Sequence, residues 1–147
     1  MDISKYNHAK EVLALQRASY QVEAELIDFY DLPPLKERAV DLQKSGELFF
    51  GYYDNEELCG VISIKNFHKW LDIHRLMVHP NHFRKGIAQQ LLAFLETKYE
   101  EIETIIVATG SKNTPAINFY LRNGFTIRGD VKVIDGLYMT SFAKKFT

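Results

Sequence analysis

The stretch from Leu71 to Thr109 constrains the fold more than any other part of this chain, because its apolar period changes twice within forty residues or so. Leu71 to Val78 reads as a strand, and His79-Pro80-Asn81 stops it. From about Lys85 to Tyr99 the spacing becomes helical, with Ile87, Leu91, Leu92, Phe94 and Leu95 on one stripe. Thr104 to Thr109 then returns to a strand pattern. A helix of this length between two strands is a crossover unit, which predicts two parallel strands close together in one sheet.

The flanking segments are antiparallel in character. Leu48 to Tyr53 and Leu58 to Ile64 read as a hairpin around Asp54-Asn55-Glu56-Glu57, and Phe125 to Val133 pairs with Leu137 to Phe146 across Asp135-Gly136. Asn7 is placed to cap a helix running toward Ala18. A second helical segment follows Pro33-Pro34 and ends at Ser45-Gly46, and a short one opens at Pro115 and ends at Asn123-Gly124. Tyr20 to Leu32 has no clear period. Its Tyr, Phe, Glu and Asp content makes it a candidate acceptor-binding segment, with Glu23, Glu25, Asp28 and Asp31 favouring a cation. The sum is an α+β, mixed-sheet domain. With 147 residues there is room for one core, so a single domain over residues 1–147 is expected.

Charge narrows the partners. Eighteen Lys and Arg nearly cancel nineteen Asp and Glu, and a net charge of -1 gathers neither nucleic acid nor an anionic membrane. No apolar run approaches the roughly 18 residues of a membrane span, and Met1 to Ala9 lacks a leader's apolar region, so a cytoplasmic location is expected. Cys59, the single cysteine, lies in the apolar run Cys59-Gly60-Val61-Ile62 and reads as a buried thiol. His68, His74, His79 and His82 lack the spacing of a zinc ligand set, and no metal is expected.

The chemistry concentrates in Val78-His79-Pro80-Asn81-His82-Phe83-Arg84-Lys85-Gly86-Ile87-Ala88, which passes from strand through a tight turn into a helix. A helix start leaves backbone N–H groups free and carries partial positive charge, and a glycine there keeps the approach to the backbone open. The turn therefore suits a phosphate. It lacks the glycine pattern of either a P-loop or a dinucleotide fold.

This segment resembles the acetyl-CoA motif of the GNAT superfamily of N-acetyltransferases: a Gln or Arg, two residues, Gly, one residue, then Gly or Ala. Phe83-Arg84-Lys85-Gly86-Ile87-Ala88 stands in that register, with Phe83 departing from the polar first position. Asn113-Thr114-Pro115-Ala116-Ile117-Asn118-Phe119-Tyr120, followed by Gly124-Phe125, is similar to the family's second signature. The resemblance implies a mostly antiparallel sheet with a central parallel step and helices on both faces. It further implies acetyl-CoA as co-substrate, its pyrophosphate at the turn from Arg84 to Ala88, with Phe83 also counted among the cofactor-binding residues. Asn113 would touch the pantetheine arm, Tyr120 would stand near the sulfur, and a backbone N–H of Met77 or Val78 would meet the carbonyl oxygen. Read without it, Asn113 is equally a helix cap and Tyr120 a core aromatic.

An ammonium must lose its proton before it attacks a thioester, so a base is required. Strict alternation along Trp70 to Val78 puts Asp72 and His74 on one face and Arg75 on the other, which makes Asp72 and His74 the candidate bases. The expected function is transfer of an acetyl group to a primary amine of a small molecule or peptide by direct attack, with a homodimer as the family habit. Two other readings stand beside it: a noncatalytic acyl-CoA-binding regulatory module, and an interaction domain using Tyr20 to Leu32.

Overall fold

In the computed structural model, which describes residues 1–146, the two hairpins and the crossover join into one six-stranded sheet of order β1-β2-β3-β4-β6-β5. The strands are β1 (Leu48–Asp54), β2 (Glu57–Asn66), β3 (Trp70–Val78), β4 (Thr104–Gly110), β5 (Thr126–Ile134) and β6 (Leu137–Lys145). Every neighbouring pair is antiparallel except β3 and β4. That exception is the crossover, closed by helix α3 (Ile87–Lys98). The α+β architecture with a central parallel step is therefore observed.

Helices cover both faces. Helices α1 (Tyr6–Ile27) and α2 (Ala39–Gln43) bury Val12, Leu15 and Leu42 against Phe49, Val61 and Met77. On the other face, Ile87, Leu91, Leu92 and Leu95 of α3 pack on Ile62, Ile64, Leu71 and Ile73, joined by Tyr120 of α4 (Thr114–Arg122). Each such aliphatic side chain, fully buried, contributes about 1.5–3 kcal/mol. Gly60 fixes how closely α3 approaches: a Cβ there would lie 2.7 Å from Ile87 Cγ2 and 3.2 Å from the Met77 carbonyl.

Three local expectations are corrected. Helix α1 starts at Tyr6 with Lys5 as its cap residue, so Asn7 lies inside the first turn and caps nothing. The helix also runs past Ala18 to Ile27, because Ala24 and Ile27 prolong its buried face, and Asp28 ends it in a left-handed conformation with φ 53°. After Pro33 the chain forms a 3₁₀ turn, Pro33–Lys36, and then the short α2. Extended backbone at Glu37 and Arg38 separates the two. Much of the segment Tyr20 to Leu32 is therefore helix.

The third correction bears on the site. In the β2–β3 ladder Ser63 faces Arg75 and Ile64 faces Ile73, leaving His74 as an extra residue on β3. A bulge of this kind shifts the alternation by one. Leu71 and Ile73 below it and Leu76 and Val78 above it pack toward α3, while Met77 packs toward α1. Asp72, His74 and Arg75 consequently share the α1 face.

Candidate active site

The same point on β3 is where the sheet parts. Strands β3 and β4 pair from Trp70 with Thr104 to Ile73 with Val107 and no further, although β3 runs on to Val78 and β4 to Gly110. The parallel seam opens toward the C-terminal ends of the two strands. The His79 N–H turns to the Cys59 carbonyl of β2 at 2.8 Å. Successive strand N–H groups alternate in direction, so that of Val78 points into the gap and that of Met77 back to β2.

At the upper end of the gap lies the turn into α3. His79 Nδ1 accepts the Asn81 N–H at 3.1 Å, the Phe83 N–H reaches the Pro80 carbonyl at 3.3 Å, and helical bonding begins with the Gln90 N–H to the Gly86 carbonyl at 3.0 Å. Among the described residues no acceptor meets the N–H groups from Arg84 to Gln89. Arg84 (φ 64°) and Gly86 (φ 74°) are both left-handed, which turns successive N–H groups outward as an anion-binding nest. A Cβ on Gly86 would meet nothing within 4 Å. The glycine serves the backbone angle and leaves the approach clear. Phe83, Arg84 and Lys85 are exposed, Ile87 is buried beneath the turn and Ala88 is partly buried.

Asn113 and Tyr120 stand seven residues apart, on one face of α4. Asn113 is the cap: its Oδ1 accepts the Ala116 N–H at 3.3 Å. Its Nδ2 donates to Glu23 Oε1 of α1 at 2.5 Å. The Tyr120 ring packs at 5.2–5.4 Å from Phe119, Phe125 and Phe142, in the core beneath α3 and α4. Burial, with Tyr20 and Glu23 nearby, pushes its phenol well above the ordinary value. Tyr20 and Glu23 belong to α1, on the other face, so these groups approach one another where the sheet is open. Among the described residues nothing hydrogen-bonds the Tyr120 hydroxyl. No side-chain oxygen there is both buried and unpartnered, so the hydroxyl keeps an accessible surface.

On the α1 face below the gap, His74 Nε2 is 3.3 Å from Asp72 Oδ2, and its Nδ1 is 3.8 Å from Glu47 Oε2. Asp72 and His74 are 32% and 31% exposed, open enough to reach an incoming group. Burial raises the Asp72 carboxyl above the usual range, opposed by His74. Glu47 goes the other way: burial raises it, but hydrogen bonds from Arg75 and Ser63 and the Arg75 charge outweigh burial and hold it low. Arg75 is the hub, its Nη1 2.6 Å from Glu37 and 2.7 Å from Gln16, its Nε 2.9 Å from Glu47.

The structure thus gathers Asp72 with His74, and Asn113 with Glu23 near Tyr120, around the gap, and sets Gly86 at its end. Sequence reasoning missed Glu37 and Glu47, which have no local signal because their common partner, Arg75, is 38 and 28 residues away. It noted Glu23 only as one of four acids; helical continuity through Ala24 and Ile27 would have put it on a buried edge. Among the described residues no helix is long and apolar enough to cross a membrane, and no three His, Cys, Asp or Glu side chains are grouped to hold a metal.

A family profile described as Acetyltransferase (GNAT) family matches residues 9–125. The chain is 45% identical over 135 residues to the UPF0157 protein YqkA of Bacillus subtilis (strain 168), an overlap of 91% of this chain and 39% of that protein. It spans about two-fifths of that relative's length. Among solved structures it is similar to the PaiA N-acetyltransferase of Thermoplasma acidophilum in complex with coenzyme A, with a TM-score of 0.72, 21% identity and coverage of 96% and 94% of the two chains. It is likewise similar to the ribosomal-protein-S18-alanine N-acetyltransferase of Escherichia coli, with a TM-score of 0.75, 15% identity and coverage of 95% and 88%. At these identities the likeness is one of fold.

Proposed function

This chain belongs to the acetyltransferase (GNAT) family, and from that premise we propose that it moves the acetyl group of acetyl-CoA to a primary amine of a small molecule or peptide. The observation that carries the reading is the opened parallel seam with a row of outward N–H groups at its end. A slot of that form accepts an extended chain with a charged phosphate head. The PaiA structure of the same fold holds coenzyme A, which supports this choice of ligand.

The turn from Phe83 to Ala88 receives the pyrophosphate, through N–H groups and the charge of Arg84 and Lys85. The pantetheine arm lies in the seam beside Asn113, and the thioester carbonyl accepts the Val78 N–H. The Asp72–His74 pair takes one proton from the acceptor's ammonium. The freed amine nitrogen forms a bond to the acetyl carbon, the carbon–sulfur bond breaks, and the second proton on nitrogen passes by way of the Tyr120 hydroxyl to the departing sulfur, giving the amide and the free thiol. The Tyr120 phenol hydrogen-bonds the departing sulfur and hands on its proton only as it receives the one from nitrogen, so no phenolate is left in surroundings that hold the group in its neutral form.

Incubation with acetyl-CoA and a panel of primary amines tests this. Free CoA thiol should appear in step with the amide. Tight CoA binding without transfer to any amine overturns the catalytic reading, and absence of CoA binding overturns the site.

A further inference from the structure

Among the described residues, every carboxylate that is at least partly buried has a basic side chain beside it, with one exception. Glu37 and Glu47 share Arg75, Asp41 has Arg38, Asp72 has His74 and Glu96 has Lys144. The exception is Glu23. It is partly buried on the inner edge of α1 and has one polar contact, the 2.5 Å hydrogen bond from Asn113 Nδ2. No Lys, Arg or His side chain reaches it.

A carboxylate removed from water without a counter-charge costs free energy, and such groups are ordinarily paired. Burial raises the Glu23 carboxyl above the usual range, and only the Asn113 amide opposes this. Since the Asn113 Oδ1 is committed to capping α4, its Nδ2 is held toward Glu23 Oε1, and Oε2 stays free. Tyr20 lies one turn before Glu23, and Tyr120 lies across the opening. An anionic oxygen within electrostatic reach of two buried phenols suits an ammonium on an apolar stem.

We propose that Glu23 is the residue that anchors the acceptor, binding the ammonium of a primary amine in the open seam next to Tyr120, and that this one carboxylate sets a preference for cationic acceptors over neutral isosteres. The inference rests on the transfer reading for the identity of the second substrate. It does not depend on turnover.

The test is calorimetric titration of the CoA-saturated protein with phenethylamine, lysine amide and putrescine, and with phenethyl alcohol as the uncharged counterpart. Glu23→Gln keeps the size and an oxygen for Asn113, and Glu25→Gln, an exposed acid of the same helix, controls for general charge. At least one ammonium probe should bind wild type, the alcohol should bind at least about tenfold more weakly, and Glu23→Gln should lose at least about tenfold in amine affinity. CoA affinity and melting temperature should hold, and Glu25→Gln should behave as wild type. No binding of any ammonium probe, equal binding by Glu23→Gln, or an equal loss in Glu25→Gln overturns the proposal. If ammonium binding is lost in Glu23→Gln while no amine is acetylated by wild type, the anchor stands and the transfer reading falls.

Discussion

His74 meets Asp72 at 3.3 Å because β3 carries one residue more than β2 at that point. Two side chains two residues apart on a regular strand share a face at some distance. The bulge draws them into hydrogen-bond range and brings Arg75 to the same side.

Proton removal by this pair has a readable signature. Asp72→Asn and His74→Gln are each expected to lower kcat/KM by roughly 10²- to 10⁴-fold and to move or abolish the acidic limb of its pH profile. Because the Asp72 carboxyl is raised by burial, the limb in wild type should lie above the ordinary carboxylate range. Profiles unchanged in both variants would assign the proton to another group or to water.

The turn at Gly86 separates charge from conformation. Gly86→Asn keeps a residue tolerant of the left-handed angle and adds no charge, whereas Gly86→Asp sets a carboxylate at the proposed pyrophosphate. CoA affinity should fall at least about tenfold further in the Asp variant than in the Asn variant, both remaining folded. Equal affinities by calorimetry would move the phosphates elsewhere.

Tyr120→Phe removes one hydroxyl and leaves the ring among Phe119, Phe125 and Phe142. Stability and CoA affinity should survive, since among the described residues nothing hydrogen-bonds that hydroxyl, while kcat should fall about 10²- to 10⁴-fold. Measured together on one preparation, full turnover with normal CoA binding would remove Tyr120 from the chemistry.

Arg75 holds two carboxylates of the α1 face, and its loss leaves Glu37 without its counter-charge and Glu47 with only the His74 imidazole, at 3.8 Å. Arg75→Met is expected to destabilise the fold by about 3–5 kcal/mol in denaturant titration at neutral pH. The pH dependence follows from Glu47, whose folded carboxyl lies below its unfolded value of about 4.3. Such a group stabilises the native state fully above the unfolded value and progressively less as pH falls through the folded one. The stability gap between wild type and Arg75→Met should therefore shrink on acidification. A gap that is constant with pH would show that Arg75 acts by packing alone.

The order and type of the strands were legible because each strand repeats its own local period, and the parallel step followed from the length of α3. The bulge was not legible: Ile73-His74-Arg75 carries no glycine or proline to mark an interrupted ladder. The far half of α1 was hidden because Tyr20, Glu23 and Glu25 mix aromatic and acidic residues, although Ala24 and Ile27 keep the helical spacing. Gly86 and Tyr120 were singled out through motifs. The surroundings of Asn113 were not, since Glu23 is 90 residues distant and meets it only when α1 crosses the sheet.

Four ladder pairs, Trp70–Thr104 to Ile73–Val107, with the Lys69 carbonyl accepting from Glu103 and Thr104 just below them, join a half-sheet of β1, β2 and β3 to a half-sheet of β4, β6 and β5 among the described residues. The molecule is accordingly two plates hinged along a short join, with α1 as a strap over it. An extended ligand lying between the separated strand ends acts as a wedge and a splint together, replacing backbone partners that the protein itself withholds. Occupancy of the slot is expected to stiffen the domain as a whole, with slowed amide exchange at Val78 reporting from within the wedge what a raised melting temperature reports for the two plates.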